Sequence, residues 1–96
     1  MRRTYLHTLA LAEREWRAAL TQGDWQRAGL AAHRVKSSSH AVGAHGLGRL
    51  LDAFERTARA PDAGIARGER MVSQLTAIDA ALVRVRQALA EPGPSG

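Results

Sequence analysis

An all-α fold, an antiparallel up-down four-helix bundle, is what the sequence predicts, and three observations predict it. Apolar residues recur at three- and four-residue steps in four separate segments, the period of a helix that buries one face. No stretch alternates apolar and polar residues as a half-buried strand would. Gly23-Asp24, Gly43 and Pro61 part the segments and leave only short connections, which suit antiparallel neighbours.

In the first segment Tyr5, Leu6, Leu9, Ala12, Trp16, Ala19 and Leu20 keep the helical step, so a helix is expected from about Arg3 to Thr21. Gly23 then offers a stop, and Asp24 an N-cap for the next helix. That second helix should run from Asp24 to about Val42, with Trp25, Ala28, Ala32, Val35, Ser39 and Val42 on its core face. Gln26, Gly29, His33, Ser37 and His40 fall on the other face, which places His33 in water. Gly43 suits the left-handed conformation that commonly follows a helix C-terminus.

The third segment sets Leu47, Leu50, Leu51, Phe54 and Ala58 against Arg49, Asp52, Glu55, Arg56 and Arg59, and it should stop before Pro61. The start of the fourth is left open by Pro61, Gly64 and Gly68. Beyond them Met71, Leu75, Ile78, Leu82, Val85 and Leu89 step by four and three, a seam of the kind that packs along a bundle. Residues 1–90 are expected to form the bundle, and 91–96, with no apolar content beyond proline and glycine, a frayed tail.

Composition bounds function by exclusion. A chain of 96 residues fits one domain with a modest core. The absence of cysteine removes disulfides, thiol catalysis and thiolate metal sites, and fits a reducing, cytoplasmic setting. No apolar run approaches the roughly 20 residues that span a bilayer, and Glu13 and Glu15 stand where a signal peptide would be apolar. The net charge of +5 comes from arginines spread over every segment, with Lys36 the sole lysine and too few aromatics to interleave as stacking platforms. A solvated basic surface is therefore the better reading than nucleic-acid binding. No Gly-x-x-x-x-Gly-Lys loop and no acidic cluster for magnesium is present, so ATP chemistry would belong to a partner. A metal site built on His33 and His40 is disfavoured, because seven residues of helix separate their Cα atoms by about 10 Å with no carboxylate between them on that face.

The residues from Asp24 to Glu55 carry the chemistry. His33-Arg-Val-Lys36-Ser-Ser-Ser-His-Ala-Val-Gly43-Ala44, followed by Leu47, Leu51 and Glu55, resembles the signature of histidine-containing phosphotransfer (HPt) domains. In that family an aliphatic residue stands two positions after the histidine, lysine three after, then small residues, and glycine ten after. Val35, Lys36 and Gly43 meet those offsets. Ser37 stands where glycine is preferred, and Phe54 where leucine is more usual.

The resemblance implies a phosphorelay intermediate that carries a phosphoryl group and does not make it. His33 would be the acceptor. Lys36, at i+3, would offset the phosphoryl charge. Gly29 and Ser37, one turn to either side, would leave clearance for a docking protein. Leu30 would be its apolar contact, with His40 further along the same face. The partners implied are response-regulator receiver domains, which would supply the aspartate and Mg2+, and a hybrid sensor histidine kinase that could carry such a domain at its cytoplasmic end. The module would act as a monomer without a cofactor of its own. Two rivals remain: a helical interaction module that does not use the histidine, and a kinase dimerisation domain. Against the second, Arg34 follows His33 where such domains usually have an acidic residue.

Overall fold

The computed structural model describes residues 2–60 and 65–90. They form four helices and, among the described residues, no strand: α1 (Arg2–Thr21), α2 (Trp25–Ala41), α3 (His45–Arg59) and α4 (Ile65–Ala90). Residues 61–64, where the start of the fourth segment was left open, and the expected tail at 91–96 lie outside the described residues. None of the four helices is long and apolar enough to cross a membrane.

Cross-helix contacts give the topology. Tyr5 near the start of α1 meets Ser39 near the end of α2. Lys36 of α2 meets Asp52 of α3, Gln74 of α4 reaches Ala53 of α3, and Arg86 of α4 returns to Glu13 of α1. A second contact for each pair, Glu15 with Arg27, Gly29 with Ala58, Ala60 with Arg67 and Arg17 with Asp79, shows residue numbers rising along one helix as they fall along its neighbour, so neighbours are antiparallel and the bundle is up-down as expected.

The connections are built from local chemistry. Asp24 caps α2 by accepting from the Arg27 amide at 3.1 Å. Gly23 and Gly43 hold φ of +72° and +89°, the left-handed region that glycine enters without steric cost. The chain reverses after each, with the Asp24 amide donating to the Ala19 carbonyl and the Ala44 amide to the Ser39 carbonyl, both at 2.8 Å. At the end of α3, Ala60 is extended with ψ of 144°, as a residue before proline should be.

Trp16, Phe54, Leu9, Leu47, Leu51, Met71, Ile78, Leu82 and Val35 fill the core, with the Trp16 and Phe54 rings tilted by 58° at 6.3 Å. The seam of α4 is confirmed, Met71, Ile78 and Leu82 buried and Leu75, Val85 and Leu89 packed against them. Gly68 lies inside α4, where the Trp25 ring presses on it.

α2 departs from the expected division into two faces. It packs against both α1 and α3, so its buried surface is wider than one stripe, and Ala31 and Gly29 are buried with it. Gly29 does not face a docking partner. A Cβ there would stand 2.6 Å from the Ala58 Cβ, a distance that carbon atoms do not tolerate, so the glycine is what lets α2 and α3 approach. Gly29→Leu is therefore expected to destabilise the fold. Overpacking of about 1–3 kcal/mol outweighs the gain in helix propensity of about 1 kcal/mol on leaving glycine. A lowered denaturant midpoint would bear this out, and an unchanged or raised one would show that the interface has slack.

Candidate functional site

His33 sits midway along α2 and, as expected, reaches solvent, its side chain 55% exposed. Its Nδ1 lies 3.0 Å from Oε2 of Glu55, whose side chain is only 4% exposed. Glu55 was expected on the polar face of α3 and is instead buried at the α2–α3 interface. At about 100° per residue it projects only about 40° from Leu51 and 60° from Ala58, both core residues. The angle therefore placed it at the rim of the buried stripe, though its charge suggested otherwise.

A buried carboxylate must be hydrogen-bonded or paired, and Glu55 is surrounded. Lys36 Nζ donates to its Oε1 at 2.8 Å, and an Arg59 guanidinium nitrogen lies 2.8 Å from its Oε2. Burial pushes the carboxyl pKa up, but hydrogen bonds from Lys36 and His33, with the Lys36 charge, outweigh it and hold the group below its ordinary value. The carboxylate is therefore ionised at neutral pH and can only accept a hydrogen bond. It follows that His33 Nδ1 carries the proton, and that the ring's second nitrogen, Nε2, is free to act as a nucleophile whenever the imidazole is neutral.

Lys36 is less free than an exposed i+3 cation. Its Nζ also donates to Asp52 at 3.0 Å, and the hydrogen bonds to Glu55 and Asp52 raise its pKa. An ammonium has three N–H groups, so two fixed carboxylate contacts still leave one for an incoming anion. Asp52 in turn pairs with Arg56 at 2.9 Å, and its carboxyl is held below its ordinary value by the Lys36 hydrogen bond first, then by the charges of Arg56, Lys36 and His40.

The structure brings some of the expected residues together and not others. Lys36, Ser37 and His40 line one shallow depression with Arg49, Asp52 and Arg56. Ser37 is exposed on the His33 side of α2. Leu30 is 50% exposed one turn before His33, where an apolar contact for a partner was expected. Gly29 belongs to the helix interface. His40 is half-buried rather than a plain surface residue: its ring covers Gly48 and its Nδ1 meets His45 Nδ1 at 3.0 Å. Gly43 is confirmed as the residue that reverses the chain after α2. Sequence reasoning gave Glu55 no role in the site beyond its place in the signature, and left Arg59 unassigned. The signal that could have found them was Glu55 four residues before Arg59 within reach of the core stripe.

The arrangement is an exposed imidazole midway along a helix, backed by a buried anion and flanked by cations. A family model described as Hpt domain matches residues 1–89. No curated protein and no solved structure gives a match.

Proposed function

The chain belongs to the Hpt domain family, whose members carry out histidine phosphotransfer in phosphorelays, and from that premise we propose that His33 is the acceptor. It takes a phosphoryl group from the aspartyl phosphate of a receiver domain and passes it to the aspartate of another. The observation that supports this most is the pairing of an exposed His33 with the buried Glu55 at 3.0 Å. It frees Nε2 and places a negative charge behind the ring.

In the transfer the Nε2 lone pair attacks phosphorus and an N–P bond forms. The P–O bond to the aspartate breaks, and its electron pair leaves with the carboxylate. The phosphorylated ring, still protonated on Nδ1, is cationic, and Glu55 stabilises it as a buried carboxylate stabilises the imidazolium of a hydrolase triad. Glu55 positions His33 and does not touch the phosphoryl group. Lys36 offers its third N–H to a phosphoryl oxygen, and Leu30 and Ser37 meet the receiver. The aspartate and Mg2+ come from that receiver, so the chain needs no metal of its own for this step.

Incubating the domain with phosphorylated receiver domains tests this. Acid-labile, base-stable label should pass to the wild-type chain, and no transfer from any receiver encoded with it would overturn the reading. In the same assay Lys36→Met should transfer on the order of tenfold to a hundredfold more slowly, with the helical fold retained because His33 and Arg59 still face Glu55. Wild-type rates in that variant would remove Lys36 from the mechanism.

A further inference from the structure

At the α2–α3 turn two imidazoles converge. His40 lies in the last turn of α2 and His45 opens α3, and the reversal at Gly43 sets their rings 5.3 Å apart at 32°, with the two Nδ1 atoms separated by 3.0 Å. The far edge of His40 is held in place. A Cβ at Gly48 would stand 2.5–2.8 Å from its Nε2, Cε1 and Cδ2, so the ring occupies the space that glycine leaves, and its Nδ1 is the nitrogen turned toward His45.

Two neutral imidazoles meeting at Nδ1 must share one proton, since one ring donates and the other accepts. With both Nδ1 atoms deprotonated, two lone pairs face each other across the gap. Imidazole nitrogen binds divalent zinc at about 2.0–2.1 Å, which at a tetrahedral angle separates the nitrogens by about 3.3 Å. An opening of about 0.3 Å, with each ring turning by about 35° so that its lone pair leaves the N–N line for the metal, converts the hydrogen-bonded pair into a chelate. We propose that His40 and His45 bind a divalent transition ion, of the imidazole-preferring class that includes Zn2+, Ni2+ and Cu2+, through their Nδ1 atoms.

No group of three His, Cys, Asp or Glu side chains is arranged for a metal among the described residues, so the protein supplies two ligands and water the others. Asp52, which shares the depression with His40, is taken by Lys36 and Arg56. The Lys36, Arg49 and Arg56 cations that share the depression with His40 oppose a dication. Both facts weaken binding, which makes this an exchangeable site and not a structural one. Its effect is to staple the end of α2 to the start of α3.

The test is a Zn2+ titration of the tag-free full chain at neutral pH, followed by calorimetry and by the histidine ring resonances. One equivalent is expected to bind with micromolar affinity, to shift the His40 and His45 rings, and to raise the thermal midpoint. His45→Ala and, independently, His40→Gln should each lower the affinity by about tenfold or more and cancel the thermal shift, while His33→Gln keeps both. The proposal falls if either variant binds as wild type does, if saturable binding is absent at millimolar Zn2+, or if His33→Gln abolishes it. Because phosphotransfer is not among the readouts, this result is independent of the role given to His33.

Discussion

His33→Gln is expected to abolish acceptance of the phosphoryl group, leaving no acid-labile, base-stable label above background. The amide nitrogen of glutamine has no lone pair available for attack on phosphorus, so the loss is of chemistry and not of affinity. The fold should survive, because His33 is more exposed than buried and the glutamine amide can still donate to Glu55. A stability change within about 1 kcal/mol is expected. The other three histidines offer no substitute: His7 is exposed on α1, while Glu55, the buried carboxylate among the described residues, pairs with His33, and His40 and His45 engage each other. Label that persists in His33→Gln, or that maps to His40, would refute the assignment.

Glu55→Gln should lower stability and transfer together. The side chain keeps its shape, but one carboxylate oxygen becomes an NH2 that faces donors on Lys36, His33 or Arg59. A buried donor opposite a donor, with the charge-assisted bonds gone, costs about 1.5–3 kcal/mol. Transfer is expected to slow by about tenfold to a hundredfold, because the amide can turn either face to Nδ1 and no longer balances the charge on the phosphorylated ring. The variant should also change the response to acid. The Glu55 carboxyl is held below its ordinary value of 4.5 in the fold, so its ionised form stabilises the protein above that pH, and the contribution is lost as pH falls below 4.5 through the folded value. Glu55→Gln removes that part of the acid dependence. Glu13, Glu15 and Asp52 are shifted the same way, so a shallower acid limb is expected rather than a flat one. Denaturant midpoints measured across the acid range decide it, and an acid limb as steep as wild type would mean that Glu55 is not a stabilising anion.

Much of this architecture can be read from residues whose effects are local. Asp24 caps because its side chain is short and polar, and Gly43 turns the chain because only glycine takes that φ freely. Met71, Ile78 and Leu82 bury because their spacing is helical. The exposure of His33 follows from the same projection. What escaped the sequence lies where two helices meet. Gly29 and Glu55 both project about 40–60° from core residues on their own helices, and such rim positions are decided by the neighbouring helix. Gly29 is buried because Ala58 closes on it. Glu55 is buried because Lys36, His33 and Arg59 converge to satisfy it. The His40–His45 contact is of the same kind, since it depends on the space at Gly48 and the angle of the turn, neither of which helical periodicity encodes.

The nitrogen that becomes phosphorylated tests the account most directly. The domain, labelled with 15N in its histidine rings and phosphorylated by a receiver domain, can be followed by 15N and 31P resonance. The account predicts a single phosphohistidine at His33 with phosphorus on Nε2 and Nδ1 still protonated against Glu55. Phosphorus on Nδ1 of His33, or on the ring of any other histidine, would contradict it.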